Sequence, residues 1–204
     1  MSVLDLLPEP VVSTEPVVVW RSWRLSLRRE CVRLRPIGDH QRAWTPLLPT
    51  RAACGHRRFH RAPALGCRCG LYGAKDAVVL ERTRSPAVIG TVALWGRIIE
   101  HELGYRAEFG YPQRLRLICP ECFWRREQLG ANATVVALLP RGTAVPLCHV
   151  HLAIARTCDL PIRSLRSASE IQAALLSTYA VDLLAAEARP RSAEGTTFSA
   201  VTTA

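Results

Sequence analysis

At 204 residues and 49% hydrophobic content, the chain is long enough for one cored domain with an appendage and too apolar for a disordered protein. Its longest apolar runs, "VVVW" at 17–20 and "VVALL" at 135–139, fall far short of the roughly 20 residues a spanning helix needs, so no membrane partner is expected. The net charge of +10 is arginine charge, with Lys75 the one lysine, and it is concentrated: from Arg21 to Arg61 eleven Arg face only Glu30 and Asp39.

The opening "MSVLDLLPEPVVSTEP" carries acids and prolines and lacks a basic n-region. It reads as a flexible arm over 1–16 and not as an export signal, which predicts a cytoplasmic chain. There, eight cysteines are reduced thiols or metal ligands in preference to a disulfide framework. One domain is expected over 17–186. The small, polar "PRSAEGTTFSAVTTA" then predicts a disordered tail over 187–204.

Residues 17–35 alternate, with Val19, Trp23, Leu25 and Leu27 on one side and Arg24, Ser26 and Arg28 on the other. "CVRLRP" repeats the pattern with Val32 and Leu34 against Arg33 and Arg35. Two strands are predicted, and their pairing would gather several Arg on one outer face. From Trp44 to Gly73 no periodicity survives among the Pro, Gly, Cys and His, so a loop held by something other than a core is expected. Strands follow near 87–100 and 105–118, joined around "HELG", with Gly90, Gly96, Gly104 and Gly110 predicting a strongly bent sheet. "FWRREQLG" reads as a short helix and "TVVALLP" as a strand, with "RG" turning back to "AVPL". The clearest late helix is "SASEIQAALLSTY", where Ser167 and Glu170 form an S-x-x-E capping box and Ile171, Ala174, Leu175 and Thr178 line one face.

Cys119-Pro-Glu-Cys122 and, 25 residues on, Cys148 and His151 give C-x2-C-x25-C-x2-H. Two close pairs of sulfur and nitrogen donors suit tetrahedral Zn2+, because a two-residue gap lets both members of a pair reach one ion. His149 competes, but on a helix it points about 100° from Cys148, whereas three-residue spacing keeps His151 on the same side. A second candidate set lies upstream: Cys54, His60, Cys67 and Cys69, with His56 in reserve. Its spacing is less common, yet an irregular loop needs something to offset its ordering entropy, and a structural ion can do so. Cys31 and Cys158 read as small buried hydrophobes.

Catalytic patterns fail. H-x-E with P-C-x-x-C is absent, H-E-x-x-H is broken by Tyr105, and no phosphate or dinucleotide loop occurs. Four protein ligands at each cluster would leave no open position, so both zinc sites read as structural. "WGRIIEHELGYRAE" crowds Trp95, Glu100, His101, Glu102, Tyr105 and Arg106, with Glu108 following. That suggests a hairpin with paired charges, or a polar pocket.

One pair on a knuckle and one at a helix start resembles the treble-clef class of zinc fingers over 119–156. "HRAPALGCRCGLYG" with "IGTVALWGRIIEHELGYRAEFGYP" resembles a group of Cys/His-rich proteins of high-GC bacteria over about 54–112. That likeness implies that the two blocks form one module, with His60 as the first His of its block. The expected fold is α+β and β-rich: a bent antiparallel sheet, two zinc-stapled segments and a C-terminal helix. The expected function is binding without catalysis. Nucleic acid is the first candidate partner, met through Arg21, Arg24, Arg28, Arg29, Arg33 and Arg35, with Trp20, Trp23 and Trp44 as stacking platforms. The alternatives are an adaptor for an acidic protein partner, built around structural zinc, and a small-ligand sensor or enzyme using the "EHELGYR" hairpin.

Overall fold

The computed structural model describes residues 11–37, 43–55, 60–124 and 132–185. The first ten residues of the expected arm, the tail from 187, the reserve ligand His56, and Arg42, Arg57 and Arg58 of the basic window lie outside the described residues.

The organising element is β1 (Val11–Arg28), an 18-residue strand that serves two sheets. It begins at Val11, within the segment expected to be loose, because Val11–Ser13 pair with Gly96–Ile98 of β5 (Val88–His101). Beyond a bulge, Val17–Trp23 continue along β5. β5 turns at Glu102 and Leu103 into β6 (Gly104–Leu117), which pairs with it over its whole length. β4 (Leu71–Ala74) lies on the far side of β6 and returns to β1 through Trp20 opposite Ala74. These four strands therefore close a ring. Closure requires tight approach: a Cβ on Gly73 would sit 2.2 Å from Val19 Cγ2. The expected bends occur as bulges at Thr91/Val92 and Trp95/Ile98, and Gly96, at φ +78°, supplies the second. β3 (Thr50–Arg51) and β10 (Asp182–Leu183, parallel) add short pairings to the open edge of β6.

Past Trp23, β1 leaves the ring and becomes a central strand of a second sheet, ordered β2 (Cys31–Arg35), β1, β8 (Thr143–Leu147), β7 (Val135–Leu138) and β9 (Ser164–Ser167). The expected alternation holds here for most positions: Leu25, Leu27, Val32 and Leu34 are buried, Arg24, Arg28 and Arg35 are exposed and Arg33 is half-buried, but Ser26, expected outward, is buried at the junction with β8. Between Val19 and Trp23 it fails, since all five residues are buried. A strand covered on both faces loses its period-two signature.

The inner face of the second sheet packs against α3 (Ala168–Tyr179) through Ala168, Ile171, Leu175 and Tyr179. Ala174 and Thr178, expected on that face, are only half-buried. The anticipated capping box is not made. Ser167 closes β9, and its hydroxyl meets Ser169 Oγ at 2.7 Å instead of capping the helix. The helix that follows β6 is α1 (Pro120–Trp124), which starts earlier than expected and contains Cys122.

Tyr179 joins these layers. Its hydroxyl donates to the Trp44 carbonyl at 2.9 Å and accepts from the Leu34 amide at 3.0 Å, at 0% exposure. Tyr179→Phe is expected to lower unfolding free energy by about 1–3 kcal/mol, because two buried backbone groups lose a partner without gaining water. Equilibrium denaturation checks this, with an unchanged m-value.

Candidate metal centres

Cys119 follows the end of β6, Cys122 lies one turn into α1, and Cys148 caps α2 (His149–Thr157), which carries His151 in its first turn. The two pairs thus come from the last strand of the ring and from β8 of the second sheet. They meet closely: Cys122 Sγ lies 3.7 Å from Cys148 Sγ, and His151 Nδ1 lies 3.5, 3.3 and 3.2 Å from the sulfurs of Cys119, Cys122 and Cys148. Zn–S and Zn–N bonds of about 2.3 and 2.0–2.1 Å imply tetrahedral edges of about 3.8 Å between sulfurs and 3.5 Å between sulfur and nitrogen. Four of the six donor–donor edges therefore lie close to those a tetrahedral ion needs, and all four donor atoms fall within 4.8 Å of one another. All four residues are buried, whereas His149 is exposed, so the helical-spacing argument for His151 holds.

No disulfide is present, and a sulfur separation of 3.7 Å is far beyond the roughly 2.05 Å of an S–S bond. The protonation chemistry also favours a cation. Burial, reinforced by the Cys148 and Cys119 thiols, pushes Cys122 up to about 12. Burial alone would raise Cys148 too, but the His151 backbone N–H and ring, with the neighbouring thiols, bring it down to about 7. Several sulfurs in one dry space cannot all ionise unless a positive charge sits among them. His151 Nε2, on the far edge of the ring, is buried without a hydrogen-bond partner among the described residues. Ligation through Nδ1 assigns the ring proton to Nε2.

The upstream set also converges. Cys54 and Cys67 sulfurs are 3.7 Å apart, His60 Nε2 is 3.1 Å from Cys69 Sγ, and the four donor atoms all lie within 4.8 Å of one another. Only Cys69 is buried, the other three being half-exposed. Burial, with the Cys67 and Cys54 sulfurs, raises the Cys69 thiol to about 11 against an opposing Ala64 backbone hydrogen bond. Both clusters can hold a metal ion.

Arg106 and Glu108, read from sequence as part of a pocket, instead brace this upstream loop. Both are buried. Arg106 donates to the carbonyls of Cys67 and Cys69, the latter at 3.3 Å, and through Nε to His101 Nε2 at 2.6 Å. Glu108 Oε1 accepts from Arg61 at 2.8 Å and Arg51 at 3.1 Å. Burial would raise the Glu108 carboxyl, but Arg61 and Arg51 outweigh it and hold it below its ordinary range. The two-residue spacing on a strand, which puts both side chains on one face, was the available signal.

The other members of the proposed pocket disperse. Trp95 stacks on Phe109, and Glu100 pairs with Lys75 at 2.5 Å. Glu102 is exposed in the turn. His101 and Tyr105 do border a cavity of about 410 Å³, whose other walls are largely Trp20, Tyr72, Val79 and Leu80. Burial and the Arg106 charge lower the His101 pKa.

The arginine assignments divide. Arg21 is 8% exposed, donates to the Tyr72 carbonyl and lies over the Trp44 and Trp23 rings, so it is a core cation and no part of an outer face. Trp20, Trp23 and Trp44 are 1%, 0% and 1% exposed. Their rings fill the interior and cannot stack on a partner. Cys31 and Cys158 are exposed, contrary to the expectation of burial. Arg24, Arg28, Arg33 and Arg35 do share the outer face of the β1–β2 pair, as the register Arg24↔Arg35, Ser26↔Arg33 and Arg28↔Cys31 requires. Arg29 is exposed in the turn between them. Among the described residues, no helix is long and apolar enough to cross a membrane. No family model, curated protein or solved structure matches the chain.

Proposed function

We propose that the chain is a non-catalytic binding module, braced by two structural zinc ions, that associates with nucleic acid through Arg24, Arg28, Arg33 and Arg35. The observation that carries this reading is the outer face of the second sheet. Over β7, β8 and β9 it is covered by the apolar surroundings of the Cys119/His151 cluster, including Leu152, Ala155 and Ile162. Among the described residues no such apolar cover lies over β1 and β2, and the four guanidinium-bearing side chains stand there without an ion pair among those residues. A concentration of one sign of charge on an open face is an electrostatic footprint for a polyanion. With the tryptophans buried, base stacking contributes nothing on this face, so recognition falls on the phosphate backbone and is independent of sequence.

Zinc is favoured over other ions because three thiolates and one imidazole in tetrahedral array suit a borderline-soft ion, and neither cluster keeps an open position. The test is a salt titration of duplex DNA binding by fluorescence anisotropy. Affinity is expected to fall steeply with salt, and each Arg→Ala change on the face to reduce the log–log slope by about 0.9. Affinity indifferent to salt removes the nucleic-acid reading. A small-ligand role remains the second reading, favoured by the cavity of about 410 Å³ beside His101 and Tyr105. A thermal-shift ligand screen tests it.

A further inference from the structure

The arginine face is not uniform. Arg28 donates to the Arg141 carbonyl at 2.9 Å and Arg33 to the Val32 carbonyl at 2.9 Å, so these two guanidiniums are already engaged. Arg24 and Arg35 make no hydrogen bond or ion pair among the described residues, although they face each other directly across the β1–β2 ladder. Like charges in directly opposed positions destabilise a strand pair. Both side chains line one groove of about 400 Å³, together with Ser26, Ser85, Thr143 and Pro120. Ser26 and Thr143 are themselves cross-strand partners between β1 and β8. None of the three hydroxyls has a hydrogen-bond partner among the described residues. Among the described residues, no carboxylate lines the groove.

We infer that this groove is a seat for a single phosphate group, held between the Arg24 and Arg35 guanidiniums and finished by the Ser26, Ser85 and Thr143 hydroxyls. The inference deepens, and rests on, the reading that the face meets a nucleic-acid backbone. An anion between Arg24 and Arg35 turns their mutual repulsion into two attractions. A phosphate also offers acceptors in several directions, which a planar carboxylate does not, and so matches guanidiniums and hydroxyls arriving from three strands and a loop. One wall is Pro120, which lies between the ligands Cys119 and Cys122. An ion held by those ligands would thus fix the position of that wall.

The test uses the full, zinc-loaded chain with two probes: a short DNA duplex by anisotropy, and inorganic phosphate by thermal shift. Arg24→Ala/Arg35→Ala is compared with Arg28→Ala/Arg33→Ala, two changes of equal charge, and Thr143→Val probes a hydroxyl without altering charge. The expected result is a loss of duplex affinity about tenfold larger for the first pair than for the second, a smaller loss for Thr143→Val, and phosphate stabilisation that only the first pair and Thr143→Val diminish. Equal losses from the two pairs, with no phosphate effect, overturn the seat while leaving nucleic-acid binding in place. Phosphate stabilisation that depends on Arg24 and Arg35, without duplex binding by the unaltered chain, supports the seat and rejects the nucleic-acid reading. Thermal unfolding of each unliganded variant separates these outcomes from misfolding.

Discussion

Cys122→Ser is expected to remove about one equivalent of zinc and to unfold the layer that covers β7, β8 and β9. The apolar group around this centre is modest: Cys119, Cys122 and Cys148 are three of its five fully buried members, beside Ala137 and Leu147. Without an ion, the thiols would lie in a dry pocket where burial holds Cys122 protonated and little large apolar surface replaces the lost bonds. Structural zinc contributes apparent binding free energies of about 10–16 kcal/mol in small zinc-dependent folds, comparable with the ~5–15 kcal/mol total stability of an ordinary domain. The ring of β1, β4, β5 and β6 is cored by a different apolar cluster, shared with α3 and the inner face of the second sheet, and should retain structure, so the loss should be partial. Elemental analysis and hydrogen exchange together check this: two ions per chain should become one, and protection should collapse over β7–β9 while persisting in β5 and β6. Two ions bound to Cys122→Ser, or undiminished protection of β7–β9, would sink the assignment. Because bound thiolates compete with protons, affinity at this centre should fall as pH falls.

Where side chains answer to one neighbour or to local geometry, the sequence was readable. The long β5–β6 hairpin followed from β-branched runs around "HELG", and the C-x2-C and C-x2-H pairs from ligand spacing. The Arg alternation on β1 and β2 followed from a strand with one solvated face. Where two sheets share a strand, the reading failed. Trp20, Arg21 and Trp23 sit on the stretch of β1 covered on both sides, so polarity no longer reports direction there, and a basic window looked like one surface when one of its arginines is core. Ser167 looked like a cap because its spacing to Glu170 is right, but a residue held in the β9 ladder has its hydroxyl set by that strand. Tyr179 and its two backbone partners were invisible because they are separated by 135 and 145 residues. Arg106 of "EHELGYR" was hard to place for a related reason: its carbonyl partners lie in the upstream loop, which carries no periodicity from which to place it.

That loop yields the second large effect. Arg106→Ala should weaken zinc binding at the upstream cluster by about 10–100-fold without removing a ligand, the range typical for groups that orient metal ligands. Arg106 donates to the carbonyls of Cys67, Ala64 and Cys69, the last two at 3.5 and 3.3 Å. Deleting it leaves the backbone that carries two ligands without its donor. Arg106→Lys should rescue poorly, since a single ammonium cannot reproduce a planar fork reaching several acceptors. Glu108 acts on the other arm, holding Arg61 beside His60 and Arg51 on β3. Arg61 and Arg51 side chains are 59% and 61% exposed, so solvent screening keeps the cost of Glu108→Gln well below the ~3–5 kcal/mol of breaking a fully buried pair. Its carboxyl is depressed in the folded chain, so its contribution is complete above the ordinary Glu range near ~4.3. That contribution is lost only as pH falls through the lower folded value. At neutral pH the arm is therefore fully set, and Glu108→Gln should lower upstream affinity less than Arg106→Ala does. A chromophoric chelator competition reads both sites in one titration, with the Cys119/His151 ion as the internal standard. Equal weakening of the two ions by Arg106→Ala would mean that Arg106 supports the fold at large and does not brace one centre.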